Sequence, residues 1–182
     1  MKLPCSKSIF AIFFVAGSLL TGDSIVNGQV HASSIGKTGL PLPRFVSIKS
    51  QRVNMRVGPG KQYKVDWLYQ KKGLPLEIIQ EYDNWRKVRD PDGNEGWILH
   101  SLLSGARTAV VAPWKAGERS ETVNLYASSK TGAAVVAYME PGVIAQIRSC
   151  DSETCKIQIE DIEGYISKNT LWGVYPDEKI ED

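Results

Sequence analysis

The sequence has little of what most enzymes need for catalysis. It contains only two histidines and three cysteines in 182 residues. It has no H-E-x-x-H, no G-x-S-x-G and no phosphate-binding glycine loop. His100 is the only histidine after the first 32 residues. It follows the strand-like GWIL, and we interpret it as a surface residue rather than the base of a Cys–His hydrolase. We predict that the protein is not an enzyme and uses no cofactor.

The chain also lacks a strong excess of either charge. It carries 22 Lys+Arg against 20 Asp+Glu, a net charge of +2. Nucleic-acid binders usually have a clear basic excess, so we expect no nucleic-acid partner. With 42% hydrophobic and 23% charged residues, the composition is typical of a globular protein. The length allows one moderate domain or two small ones.

No apolar run is long enough to span a membrane. Residues 9–20 (IFAIFFVAGSLL) form an apolar run, and a spanning helix needs about 20 apolar residues. Lys2 and Lys7 precede the run, and the tripeptide VHA that ends at Ala32 fits a signal-peptidase site. We predict that residues 1–32 are a signal peptide and that no stable membrane span remains after cleavage. An uncleaved membrane anchor is the alternative.

Cleavage after that segment leaves two cysteines, Cys150 and Cys155. A closely spaced pair in an oxidising compartment is typical of a disulfide. The pair flanks a short polar segment between two strand-like stretches, and a hairpin brings such residues within disulfide range. A metal pair is the alternative, but zinc usually needs four Cys or His ligands, and His100 alone cannot complete the set. We predict a disulfide worth about 2 kcal/mol, because the closed loop is short, and no metal.

Two segments of the exported chain show no regular apolar pattern. Residues 33–44 (SSIGKTGLPLPR) are polar and rich in proline and glycine, so we predict a flexible linker. Residues 175–182 carry four acidic residues and one lysine, so we predict a solvated acidic tail.

Short alternating segments fill the region between them. Apolar residues alternate through residues 74–82, which predicts a half-buried strand that ends at a turn over residues 83–84. Residues 85–89 fit a return strand, residues 90–93 (DPDG) a turn, and residues 96–99 another strand. No segment has an amphipathic helical pattern of three turns. Short strands at this spacing favour a small all-β barrel.

The same order of segments recurs about 70 residues later. Three pairs of matching segments define the repeat. VNM at residue 53 matches VNL at residue 123, KV at residue 87 matches KI at residue 156, and GWI at residue 96 matches GYI at residue 164. Such a repeat indicates duplicated structural units. We place the units at residues 45–105 and 106–174; each is near the lower size limit for an independent core.

The first unit resembles the bacterial SH3-like domain, SH3b. The resemblance rests on VNMRVGPG at residues 53–60, Gly73, EYDNWRKV at residues 81–88 and GNEGWI at residues 93–98. The second unit keeps Asn124, Gly142 and a closing Gly-Tyr-Ile that begins at Gly164. It lacks Gly-Pro-Gly and the tryptophan that corresponds to Trp85. The resemblance therefore implies an all-β protein made of two tandem small SH3-like β-barrels, the second one divergent.

The resemblance also implies which residues bind a ligand. The groove of the family is lined by aromatic residues, so we expect Tyr82 and Trp85, beside the basic Arg56, to form the ligand-binding site. Arg56 is either a solvated strand residue or a brace for its loop, and we favour the brace. We expect Trp97 to pack in the core. The Gly58-Pro59-Gly60 sequence predicts a tight turn in which glycine supplies a positive φ.

The charge is unevenly shared between the two units. Residues 41–105 carry 11 basic and 7 acidic residues, and residues 106–174 carry 7 and 8. A basic first unit could meet an anionic polymer, a lipid headgroup or an acidic protein surface. With the resemblance, we predict an exported binding module of the cell envelope, in the periplasm rather than the medium, with peptidoglycan or a short peptide as ligand. A structural protein that binds another envelope protein is the alternative.

Overall fold

Short β-strands account for nearly all the regular structure. The structure, a computed structural model, describes residues 34–117 and 121–181. Two short strands, β1 (Ser34–Ile35) and β2 (Pro41–Leu42), form an N-terminal hairpin. Two seven-stranded sheets follow it in the chain. The predicted signal peptide, residues 1–32, lies outside the described residues.

The first sheet forms the first barrel. Its strands are β3 (Arg44–Ile48), β4 (Val53–Arg56), β5 (Val65–Tyr69), β6 (Pro75–Tyr82), β7 (Trp85–Arg89), β8 (Glu95–Leu99) and β9 (Leu103–Ser104). A 3₁₀ helix, His100–Leu102, joins the last two strands. The order across the sheet is β5-β4-β8-β7-β6-β3-β9, and all neighbours are antiparallel.

The second sheet repeats this arrangement strand for strand. Its strands are β10 (Thr108–Val111), β11 (Val123–Tyr126), β12 (Val135–Met139), β13 (Ile144–Cys150), β14 (Thr154–Ile159), β15 (Ile162–Ser167) and β16 (Leu171–Trp172). The 3₁₀ helices are Pro113–Lys115 and Lys168–Thr170. The order is β12-β11-β15-β14-β13-β10-β16, the same as in the first barrel. The predicted all-β fold of two tandem barrels is therefore confirmed.

The inward side chains of each barrel form a separate apolar core. In the first barrel the buried residues are Ile48, Val53, Met55, Tyr69, Leu76, Ile78, Val88 and Ile98. In the second, the core includes Leu125, Ala145, Ile147, Ile157, Ile166 and the two cysteines. Gly96 and Gly164 let strands cross closely, because a Cβ would lie 2.9 Å from the Arg56 carbonyl oxygen and 2.8 Å from that of Tyr126.

The segment before the first barrel is ordered, so the predicted flexible linker over residues 33–44 is wrong for the described part. β1 pairs with β2 in antiparallel register, and Thr38 in the turn binds the barrel. The Thr38 backbone N–H and hydroxyl donate to the Glu81 carboxylate at 2.9 and 2.7 Å. Arg44 donates to the same carboxylate at 2.6 Å. A buried acceptor therefore holds a segment whose composition alone favoured disorder.

The acidic C-terminal segment makes specific contacts with the second barrel, while Asp177, Lys179 and Glu181 within it are exposed. Arg107 forms an ion pair with Glu178, and Ile180 exchanges two backbone hydrogen bonds with Cys150 at 2.8 and 3.1 Å. Burial would raise the pKa of Glu178, but hydrogen bonds from Arg107 and from the Tyr175 backbone outweigh burial and lower it. The tail is acidic in composition yet has specific partners.

Aromatic contacts join the two barrels, which belong to one compact unit. The Phe45 ring lies 5.0 Å from the Trp172 ring and 4.7 Å from the Tyr175 ring, measured between centroids. The Tyr175 hydroxyl donates to the Glu77 carboxylate at 2.9 Å. The Thr108 hydroxyl donates to a backbone carbonyl of the first barrel at 2.7 Å. These contacts connect the first barrel to the first strand of the second barrel and to the segment at and after its last strand.

Candidate ligand-binding face of the first barrel

Strand alternation decides which side chains of β7 and β8 face solvent. On β7, Arg86 and Val88 are buried, so Trp85 lies on the opposite, outward side. On β8, Gly96 and Ile98 are buried, which places Trp97 outward. Because successive side chains of a strand point to opposite faces, the two tryptophans share the outer face of the sheet.

Four residues meet on this side, and we call them the aromatic face: Arg56, Tyr82, Trp85 and Trp97. Tyr82 is paired with Trp85 across the β6–β7 turn, and Arg56 is paired with Trp97 between β4 and β8. The Tyr82 and Trp97 rings lie edge to face, with centroids 6.4 Å apart and planes at 82°. The three residues chosen from the sequence are thus brought together.

Trp97 is part of this face, so its predicted place in the core is wrong. Its side chain is half-buried, and the buried residue of the strand is its neighbour Ile98. Bulk and hydrophobicity favoured a core position, but the strand register decides the side. The glycine at position 96 was the available signal, because it lies inward where β4 crosses, so the next residue must point outward.

Arg56 also braces the loop over residues 57–64. Its guanidinium donates to the Tyr63 carbonyl at 2.6 Å, as expected for a brace. The predicted turn at Gly58-Pro59-Gly60 is present, with the Gly60 N–H bonded to the Gly58 carbonyl at 2.9 Å. Neither glycine has a positive φ, which corrects that part of the prediction. Gly58 is needed for space, because a Cβ there would lie 2.5 Å from the Tyr63 ring.

The cations around the aromatic face differ in how they are paired. Lys87 and Arg89 both bind the Glu95 carboxylate at 2.7 Å. The hydrogen bonds from Lys87 and then Arg89 lower the pKa of Glu95. Lys37 lies over the Tyr82 ring, 5.6 Å from its centroid. Arg56 binds a backbone carbonyl and forms no ion pair with the described residues. The face therefore combines exposed ring surface with unneutralised positive charge.

Glu81 lies on the side of β6 opposite to Tyr82, where the N-terminal hairpin covers it. Its side chain is 2% exposed and lies 3.4 Å from the Arg86 guanidinium, in addition to its bonds with Thr38 and Arg44. Burial would raise the pKa of Glu81, but the hydrogen bonds from Thr38 and Arg44 outweigh it and lower the pKa to about 2. Glu81 therefore stays ionised at neutral pH and fixes the strand next to Tyr82.

The equivalent face of the second barrel has different chemistry. Tyr126 is paired with Tyr165 there, as Arg56 is with Trp97. Thr154 occupies the register position of Trp85. Both tyrosines and the threonine line a pocket of about 430 Å³. The second face therefore has a tyrosine where the first has Arg56, and no indole ring lies among the residues of its pocket, which include Lys130.

The cysteines and the histidine have structural surroundings. Cys150 and Cys155 form the predicted disulfide, with their Cα atoms 4.1 Å apart on paired positions of β13 and β14. His100 is exposed in its 3₁₀ helix, and its backbone N–H donates to the Asn84 carbonyl at 2.8 Å. Within residues 34–117 and 121–181, no group of His, Cys, Asp or Glu side chains is arranged to hold a metal ion.

Comparison with solved structures finds only low similarity. NlpC2 from Trichomonas vaginalis is 12% identical with a TM-score of 0.32, covering 71% of this chain and 48% of its own. NlpC1 from the same organism is 12% identical with a TM-score of 0.32, covering 71% and 45%. An NlpC/P60 family protein from Bacillus cereus is 11% identical with a TM-score of 0.31, covering 70% and 55%. The chain thus spans about half the length of these proteins.

Sequence comparison identifies the family. No curated protein sequence matches the chain significantly. The profile of the bacterial SH3 domain family matches residues 49–105 and, separately, residues 119–173. The two matches coincide with the two barrels and together cover more than half of the chain. The chain therefore belongs to the bacterial SH3 domain family and contains two such domains in tandem.

Proposed function

We propose that this protein is an exported, non-enzymatic binding module of the bacterial cell envelope, which recognises peptidoglycan or a short peptide through its first barrel. The aromatic face is the observation that supports this function. It presents Tyr82, 52% exposed, beside two half-buried tryptophans and the Arg56 guanidinium. Aromatic rings stack on sugar rings and peptide groups, and a neighbouring cation attracts a carboxylate.

The arrangement fits a ligand that has both apolar surface and negative charge. The rings of Tyr82 and Trp97 meet edge to face, which leaves ring surface exposed. Arg56 is fixed by its bond to the loop carbonyl, so it loses little freedom on binding. A peptide with a free carboxylate, or a glycan that carries acidic groups, has the required chemistry.

A binding role without catalysis is supported by the state of the reactive side chains. Cys150 and Cys155 are bonded to each other, so neither offers a thiolate nucleophile. Among the described residues, His100 makes only backbone hydrogen bonds, to Asn84 and Leu103. A Cys–His hydrolase would need both groups free and close together.

Export is supported by the disulfide and by the predicted signal peptide. Disulfides persist in oxidising compartments such as the periplasm, and Cys150–Cys155 is formed. In the part of the chain that the structure describes, no helix is long and apolar enough to cross a membrane. We place the protein in the periplasm rather than the medium, and N-terminal sequencing of exported protein should find Ser33 as the first residue.

Co-sedimentation with insoluble peptidoglycan tests the binding function. We expect the wild-type protein to sediment with peptidoglycan and Trp85→Ala to remain largely in the supernatant. Trp67→Ala is the matched control, because Trp67 is 54% exposed in the same barrel but lies outside the aromatic face. Equal sedimentation of all three proteins would exclude this face as the binding site.

An assembly role is the second candidate, and the contact between the barrels favours it. Phe45, Trp172 and Tyr175 pack at the junction, so both barrels can present one continuous surface to an envelope protein. This role predicts no sedimentation with peptidoglycan and a specific cross-link to one envelope protein in intact cells. Sedimentation that depends on Trp85 would instead support the binding module.

A further inference from the structure

Two segments of the second barrel have no counterpart in the first. Only residues 49–52 separate β3 from β4, whereas residues 112–122 separate β10 from β11 and include a 3₁₀ helix. After β16, residues 173–181 fold back over the second barrel. Both segments contribute to one pocket at the end of that barrel. The second barrel therefore has a site that the first cannot have.

The pocket has the size and lining of a small-ligand site. Its volume is about 580 Å³, within the range of roughly 300–1,000 Å³ for ligand pockets. Its apolar wall consists of Leu171, Val174 and Pro176, and Trp114 closes one side. Glu153 and Asn169 supply polar groups. Such a lining can hold an aliphatic chain that ends in a polar group.

The fold holds Trp114 in an exposed position. Its side chain is 58% exposed, although a buried residue, Ala112, lies only two positions before it. Ala112 has φ 37° and ψ 56°, the left-handed region that residues with a Cβ rarely adopt. Its N–H donates to the Thr170 carbonyl at 2.7 Å, which fixes this conformation. Strained backbone of this kind is concentrated at binding sites.

The charges in the pocket favour a cationic ligand. Lys168 is buried, and its ammonium donates to the carbonyls of Asp151, Pro176 and Glu178. These three bonds use all three N–H groups, so Lys168 holds the C-terminal segment and has no donor left for a ligand. Glu153 is the other ionisable residue in the lining, and it is exposed. The positive charge of Lys168 interacts with the Asp151 and Glu178 carboxylates, so the Glu153 carboxylate is the charge left for a ligand.

We propose that this pocket binds a primary ammonium group on an aliphatic chain, as in a lysine side chain of a peptide. The methylene groups lie against Leu171, Val174 and Pro176, and the ammonium lies between the Trp114 ring and the Glu153 carboxylate. A ring face and a carboxylate both attract an ammonium ion. The site is separate from the aromatic face, so it does not depend on the proposed function.

Titration of the purified protein with Nα-acetyl-lysine methylamide, followed by NMR, tests this site. We expect the Trp114 indole N–H resonance and the Asn169 side-chain resonances to shift. The norleucine analogue, which lacks the ammonium, should bind at least about tenfold more weakly, as expected for a lost ammonium contact with a ring and a carboxylate. Glu153→Gln should weaken lysine binding about fivefold, and Trp114→Ala about tenfold.

Trp67→Ala is the matched control, because this exposed tryptophan lies in the other barrel, and it should bind as wild type does. Circular dichroism checks that each variant is folded. Equal binding of the lysine and norleucine probes would overturn the proposal. Wild-type affinity of Trp114→Ala for the lysine probe would also overturn it. A shift of the Trp114 indole resonance by a disaccharide of N-acetylglucosamine, but not by the lysine probe, would overturn it as well. None of these results bears on Trp85-dependent sedimentation, so the two proposals fail separately.

Discussion

The two barrels stabilise the same hairpin position by different chemistry. Glu81 is paired with Arg86 across β6 and β7, and Cys150 is paired with Cys155 across β13 and β14, at equivalent register positions. The carboxylate needs partners from outside its hairpin, which Thr38 and Arg44 supply. The disulfide needs none. The first barrel therefore depends on the N-terminal hairpin, whereas the second is fixed by a covalent bond.

The same comparison separates the outer faces of the two barrels. The first keeps Arg56, Trp85 and Trp97, and the second has Tyr126 and Thr154 at the positions of the first two. The second barrel has gained an inserted 3₁₀ helix and a C-terminal segment. Duplicated barrels can thus keep one fold while their surfaces acquire different chemistry, which is how sites are grafted on folds.

The largest loss in the free energy of unfolding is expected from Glu81→Gln. This change leaves Arg86 and Arg44 without their shared carboxylate, and loss of one partner of a buried ion pair costs about 3–5 kcal/mol. Chemical denaturation at pH 7 measures this loss. Glu95→Gln is the control, because its partners are partly exposed and surface pairs are worth about 0–1 kcal/mol. Equal effects of the two changes would show that the Glu81 cluster does not stabilise the first barrel.

The next largest effect is the loss of stability in acid as Glu81 becomes protonated. The pKa of Glu81 is lowered from 4.5 to about 2 in the folded protein. Its stabilisation is therefore complete above pH 4.5 and is lost as the pH falls towards 2, a change of about 3 kcal/mol. The free energy of unfolding should fall more steeply across this range in wild type than in Glu81→Gln. Parallel curves would contradict the assignment.

Loss of the disulfide should cost about 2 kcal/mol, because the loop that it closes is short. Reduction, or Cys150→Ser together with Cys155→Ser, should increase amide hydrogen exchange in β13 and β14 more than in β6 and β7. Glu81→Gln should give the opposite distribution. Two free thiols in unfolded, non-reduced protein would show that the bond is absent.

The smallest effect on stability is expected from Trp97→Ala. The side chain is half-buried on the outer face rather than packed in the core, so its removal should cost about 1–2 kcal/mol instead of the roughly 3–5 kcal/mol of a core tryptophan. Ile98→Ala is the contrasting variant, because Ile98 is 0% exposed. If Trp97→Ala unfolds the barrel while Ile98→Ala does not, the inside and outside of β8 are assigned wrongly.

The sequence predicted the strands and the repeat because both depend on local patterns. The strand over residues 74–82 and the turn at Asp90 are local, and the structure has both, with Gly93 at φ 85°. The simple alternation is wrong, because the ladder shifts register between Ile78 and Gln80 and Glu81 is buried while Tyr82 is exposed. The terminal segments could not be predicted in this way. Their order depends on distant partners, Glu81 for Thr38 and Arg107 for Glu178, which composition does not reveal.

The proposed binding face was predicted only in part for the same reason. Tyr82, Trp85 and Arg56 belong to the motif of the family, so the sequence identified them. The side on which Trp97 lies depends on the register between β4 and β8. The pocket beside Trp114 depends on the fold of two segments without regular patterning. The pocket has no local signature in the sequence, whereas Gly96 was a local signal for the side on which Trp97 lies.

The central claim is that the first barrel, through its aromatic face, is the part of the molecule that binds the envelope ligand. Peptidoglycan sedimentation of wild type, Trp85→Ala and Trp67→Ala tests it most directly. The account predicts that Trp85→Ala loses about 1–3 kcal/mol of binding free energy, the scale of an aromatic hot spot, with an unchanged circular dichroism spectrum, and that Trp67→Ala binds as wild type does. Wild-type sedimentation of the Trp85→Ala protein would contradict the account.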